Sequence, residues 1–134
     1  MTTRPEPIEP HHVHSDRLMR HAFEQLANGD RLQASEKAWG AMAHTLKQIA
    51  AERSLRYEQH RDARQIMLAV ARNSPHNRAI RAGYAEANEL HKNFYSDRQY
   101  RDDLEEALET VNDAITLLQQ EQAQWRQEHS PRSP

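Results

Sequence analysis

Apolar residues recur along the chain at intervals of three and four, the period of one face of an α-helix, and no segment reads as a strand. The clearest run is Leu32, Ser35, Trp39, Met42, Leu46 and Ile49, broadened by Ala38, Ala43 and Ala50. It predicts a helix capped by Asp30 and continuing to about residue 53, roughly 35 Å at 1.5 Å per residue. Gln33 stands three residues after Asp30, as in a capping box. Upstream, Met19, Ala22, Phe23 and Leu26 predict a helix that starts at a Ser15 or Asp16 cap, reaches residue 28 and ends at Gly29.

After a connection over 54–59, Ala63, Ile66, Met67 and Val70 mark a third helix over about 60–72. Asn73 reads as its C-cap. Ser74 then reads as the N-cap of a fourth helix, with Pro75 at the first helical position, where a missing N–H costs nothing. That helix runs to about residue 95. A turn at 96–98 precedes a fifth helix from about 100 to 127, with Leu104, Leu108, Val111, Ile115 and Leu118 inward. Seams spaced by three and four belong to near-parallel packing, so the expected fold is all-α, an up-and-down antiparallel bundle of about five helices. The bundle should occupy 15–128, between a disordered N-terminal tail over 1–14, with three prolines and His11, His12 and His14, and a disordered tail over 129–134.

Composition narrows this picture. A chain of 134 residues suits one core. With 37% hydrophobic residues and 28% charged ones, it matches a small bundle whose helices each bury one stripe. There is no cysteine, which excludes disulfides, zinc–thiolate sites and thiol catalysis. The first residues lack the apolar core of a signal peptide and no apolar run nears the roughly 20 residues of a membrane span, so cytoplasmic residence without membrane contact is expected. His12 and His14 offer a chelating pair in a tail, set against a plain solvated tail; no metal or cofactor is expected.

A net charge of −2 argues against a protein that simply coats nucleic acid. Its distribution says more. Residues 51–81 hold seven arginines against Glu52, Glu58 and Asp62, a balance of +4, whereas 99–129 hold eight acids against Arg101 and Arg126, a balance of −6. The basic middle and acidic end either neutralise each other, within the bundle or across a dimer, or leave an anion-binding face.

Candidate chemistry concentrates on the fourth helix. Ile80, Gly83, Ala87, Leu90 and Phe94 form its core stripe; one residue round lie Arg81, Tyr84, Asn88, His91 and Tyr95. This second stripe combines a cation, an amide, an imidazole and two phenols, groups that suit a base or a phosphate. The competing reading is amphipathic boundary residues with rings inward and polar tips in water. His91 has the chemistry of a general acid or base near neutral pH. Gly83, like Gly40, is read as permitting close helix approach, since a mid-helix glycine costs about 1 kcal/mol. A second cluster comprises Lys37 and His44, seven apart on one face of the second helix, with Lys47 close by; His60 and Arg61 open the third helix, whose N-terminus favours anions.

The run at 29–41 (Gly-Asp-Arg-Leu-Gln-Ala-Ser-Glu-Lys-Ala-Trp-Gly-Ala), with His60-Arg61-Asp62 and Leu90-His91-Lys92-Asn93-Phe94-Tyr95, resembles the PaREP1 group of the HEPN superfamily over about 16–120. The resemblance implies a HEPN-type bundle, commonly a homodimer, in families that include ribonucleases, toxin partners of nucleotidyltransferases and nucleotide-binding modules. Active HEPN ribonucleases carry an Arg, four to six intervening residues and a His. Upstream of His91 those offsets hold Glu86, Ala85 and Tyr84, and Arg81 lies nine intervening residues away. Arg53 and His60 fit the spacing but bridge a helix end and a helix start. Three expectations follow: a non-catalytic module that binds a nucleotide or RNA element, a metal-independent ribonuclease acting through His91 or His60, and a structural homodimeric interaction protein.

Overall fold

The computed structural model describes residues 11–92 and 101–130, and they form five α-helices: α1 (His11–Ala27), α2 (Arg31–Arg53), α3 (His60–Ala71), α4 (Asn77–Lys92) and α5 (Arg101–His129). The all-α bundle is as its periodicity predicts, with no strand among the described residues. The packing centres on α2, which touches every other helix; α1 pairs mainly with α2, and α4 with α5. The short α3 lies against α4 and α2 and barely reaches α5. Expected positions such as Met19, Met42, Leu46, Ile66, Ile80, Leu90, Leu108 and Ile115 are all buried.

Local chemistry sets the helix ends. Asp30 caps α2, its carboxylate accepting from Gln33 N at 3.0 Å, after the turn that Gly29 makes at φ 83°. Ser54 ends α2 in the left-handed region, φ 56°, while Leu55 N donates to Ala50 O at 2.8 Å. At the start of α3, Asp62 Oδ2 accepts from the backbone N–H groups of Glu58 and Gln59, both at 2.9 Å. These two bonds hold the Asp62 carboxyl below the usual carboxylate range.

Several boundaries differ from expectation. α1 begins at His11, so Ser15 is a helix-interior residue, fully buried, whose hydroxyl lies 3.0 Å from that of Thr45 on α2. A hydroxyl pair across two helices thus replaces the expected cap. α3 ends at Ala71 with Arg72 as its C-cap, not Asn73. α4 starts at Asn77, two residues after Pro75, because Ser74 Oγ accepts from His76 N at 2.9 Å and donates to Glu121 on α5, tying the turn to the bundle. Leu32, expected inward, is 39% exposed: two turns before the half-buried Trp39, it lies on the same shoulder of α2.

The two glycines differ. A Cβ on Gly83 would overlap Ala114 Cβ of α5 and lie 2.8 Å from Thr110 O, so α4 and α5 cross there in near-backbone contact. At Gly40 the nearest atom to such a Cβ is Leu18 Cδ1 at 3.5 Å, an ordinary contact, so close approach is not what this position requires.

Candidate functional site

Successive residues on a helix are turned by about 100°. On α2 this puts Trp39 on the shoulder beside α3 and α4, away from the centre of the buried face. Its indole is only half-buried. The first residue of α3, His60, and the last turn of α4, with His91, come to the same place because α3 and α4 are antiparallel, joined by the short turn after Ala71. Trp39 and His91 stack with centroids 4.9 Å apart and planes 23° from parallel. His60 lies 4.8 Å from Trp39, tilted by 40°, and 5.2 Å from His91, nearly parallel at 24°. Three rings from three helices therefore form one surface cluster, with both imidazoles exposed.

Neighbouring side chains hold this cluster. Asn88 Oδ1 lies 3.1 Å from His60 Nε2, which places the donated proton on that nitrogen. Beneath the rings, Tyr84 meets Trp39 edge to face at 6.3 Å and is itself buried, its hydroxyl pushed up by burial against the opposing effect of Arg64. Tyr57 is also pushed up, by burial first and then by Tyr84 and Asp62, and Lys47 Nζ stands 5.6 Å over its ring. The His91 imidazole, exposed but partly covered by the neighbouring rings, is held below its ordinary value, chiefly by that partial desolvation and then by His60 and Lys92, with Glu36 opposing. His91 is thus predominantly neutral near pH 7 and stacks as an uncharged ring.

Of the residues expected to form a site, His60, Tyr84, Asn88 and His91 converge. Arg61 is exposed in the first turn of α3, beside His60. Arg81 is exposed on α4, ten residues and hence about 15 Å before His91. Lys37 and His44 do not join them, because they lie about 140° to 160° round α2 from Trp39, on the shoulder facing α1, where His44 meets the His14 ring edge-on at 4.3 Å. Tyr95 and Phe94 lie outside the described residues. The anion-favouring start of α3 is already served by the Asp62 carboxylate. Trp39 was missed as a site residue. Its three-and-four spacing assigns it to the seam, and only the placement of α3 and α4 brings His60 and His91 against its half-buried indole.

A second polar locus lies between α2 and α5. Gln122, 1% exposed, accepts from Arg53 Nε at 2.8 Å and donates to Glu52 Oε2 at 2.7 Å, and Arg126 Nε also donates to Glu52, at 2.6 Å. Burial raises the Glu52 carboxyl, but its bonds from Arg126, Gln122 and Gln48 outweigh this and leave it below the usual range. A cleft of about 200 Å³ opens beside this network, lined by Thr45, Gln48, Ile49, Gln119, Gln122 and Arg126. These groups largely satisfy one another, and the locus holds helices together. No group of three or more metal-ligating side chains occurs among the described residues, nor is any helix there long and apolar enough to cross a membrane.

An all-helical bundle that carries an indole–imidazole cluster where three helices meet is the class of protein defined by this geometry. Within that class, the model of the archaeal PaREP1/PaREP8 family matches residues 11–115, and the chain belongs to that family. No curated protein and no solved structure matches it.

Proposed function

We propose that the chain is a non-catalytic binding module for a nucleotide or RNA element, which takes a base on the Trp39, His60 and His91 cluster and phosphate on nearby cations such as Arg61. The cluster carries this reading. Aromatic faces held at a surface by hydrogen bonds and packing, next to arginines, are what a flat base with a charged backbone requires. The Nδ2 group of Asn88, whose Oδ1 lies against His60, adds a donor for a base edge.

The ribonuclease alternative has its own support in the pairing of a neutral His91 with a second imidazole. One of the two imidazoles is already engaged, His60 Nε2 lying 3.1 Å from Asn88 Oδ1, and no arginine stands four to six intervening residues before His91, which favours binding over catalysis. The HEPN resemblance adds a homodimer and a nucleotidyltransferase-type partner to the proposal, with a cytoplasmic setting; light scattering of the purified chain tests the dimer.

The test is quenching of Trp39 fluorescence by AMP in a Trp125→Phe background, which removes the second indole. Base stacking on an aromatic ring is worth about 1–3 kcal/mol. Loss of the Trp39 ring, read by calorimetry on Trp39→Ala, should weaken binding about 5- to 150-fold. Absence of any saturable quenching by nucleotides or short RNA refutes the reading. RNA cleavage in chelator that disappears in both His60→Ala and His91→Ala would replace it with the ribonuclease.

A further inference from the structure

The cations of α3 and α4 are not scattered around the hairpin. On α3 the buried positions are Ala63, Ile66, Met67, Val70 and Ala71; of the exposed arginines, Arg61 and Arg72 lie about 150° to 170° round the helix from the centre of that face, and Arg64 about 90° round, on the flank shared with His60. On α4, Arg78, Arg81, Ala85, Asn88 and Lys92 follow one another at three and four and form a single stripe. Asn88 belongs to that stripe and bonds to His60, so the stripe runs along the shoulder turned toward α3. The α4 carboxylates, Glu86 and Glu89, fall about 80° to 140° round the helix from Arg81, on the side away from α3.

The hairpin from His60 to Lys92 holds six Arg and Lys against three acids, one of which, Asp62, is turned to the backbone as a cap. Among the described residues Arg61, Arg64, Arg72, Arg78 and Arg81 make no contact ion pair, either within the hairpin or with the acids of α5. A basic track therefore lies along the hairpin and ends at the ring cluster. From Arg78 to Lys92 it measures about 21 Å.

From this juxtaposition we infer that the ligand is a single-stranded nucleic acid several nucleotides long, laid along the α3–α4 hairpin with one base on the Trp39 cluster and its phosphates on Arg64, Arg78 and Arg81. The inference rests on the proposed base site and deepens it, because a mononucleotide would leave the far arginines without a partner. At a rise of about 3.4 Å per stacked nucleotide, 21 Å corresponds to about six nucleotides. A duplex fits poorly, since its bases are paired inside and offer no free face to the rings.

The experiment uses the full chain and fluorescein-labelled oligonucleotides of two, four, six and ten nucleotides, as matched RNA and DNA, with AMP and a blunt duplex alongside. Affinity by anisotropy should rise with length and level off near six. Binding of either polymer supports the track, and the matched arms identify its natural source. Binding should fall as salt rises, and the double variant Arg78→Gln/Arg81→Gln should lower the steepness of log affinity against log salt by about 1.4, from a slope of about 0.7 per phosphate contact on single strands. That corresponds to about sevenfold less loss between 50 and 200 mM salt. Both side chains are exposed, so far-UV circular dichroism should not change. If AMP binds as well as the hexamer and the double variant behaves as the wild type, the track is refuted while the base site stands. If the duplex binds as tightly as the strand, the single-strand assignment is wrong, and if neither AMP nor any oligonucleotide binds, both readings fall.

Discussion

Replacing Gly83 by alanine tests how α4 and α5 are fitted together, and the second helical glycine supplies the control. The added methyl group at position 83 would overlap Ala114 Cβ and lie 2.8 Å from Thr110 O and 3.4 Å from Ala114 Cα. None of these atoms is the free end of a flexible side chain, so relief requires the two helices to move apart. Overpacking of this kind costs about 1–3 kcal/mol, here toward the upper end because the backbone is involved. Against it stands the gain of about 1 kcal/mol from placing alanine in a helix interior. Gly83→Ala should therefore destabilise by about 1–2 kcal/mol, lowering Tm by roughly 3–8 °C for a chain of this size. At Gly40, where the nearest atom is Leu18 Cδ1 at 3.5 Å, only the helix gain remains, and Gly40→Ala should raise stability by up to about 1 kcal/mol. Urea and thermal denaturation followed by circular dichroism measure both. A third variant, Ala114→Gly, combined with Gly83→Ala should recover part of the loss, because it removes the obstructing methyl group. Equal stabilisation by the two alanines would refute the close crossing.

Gln122→Ala should cost about 2–4 kcal/mol in urea melts, since it opens a cavity and leaves Arg53 and Glu52 without their shared partner; a loss under about 0.5 kcal/mol would show that the network is idle. Glu52, held below the usual carboxylate range, contributes stability that is present above its unfolded pKa and lost as pH falls through its folded one, so Glu52→Gln should flatten the acid limb of stability against pH. The His91 imidazole, also depressed, contributes in the same direction: its share is present above the ordinary histidine value and disappears as pH falls through the folded value. By proton NMR, His91 should titrate below a free imidazole and move upward in His60→Gln; titration at or above the ordinary value would contradict the stacked, partly desolvated arrangement.

The five helices and most core positions were legible from spacing alone, because helical period and caps are local. Asp30 with Gln33, Gly29 as a stop and the inward stripe of α5 each follow from residues within a few positions of one another. The start of α1 was not legible, because Ser15 reads as a cap until the hydroxyl of Thr45, thirty residues away, is placed against it. The same division runs through the candidate site. Spacing showed that His91, Asn88 and Tyr84 share a stripe and that Lys37 and His44 share a face, but one helix face does not reveal which neighbour covers it. The path of α3 decided that Trp39 and His60 meet the first group; helical period alone put Lys37 and His44 about 140° to 160° round α2 from Trp39, and the position of α1 decided only what lies beside them. Residues that converge here come from helix positions up to 52 apart, 39 to 91, and their convergence depends on chain direction at two turns, which side-chain periodicity does not encode.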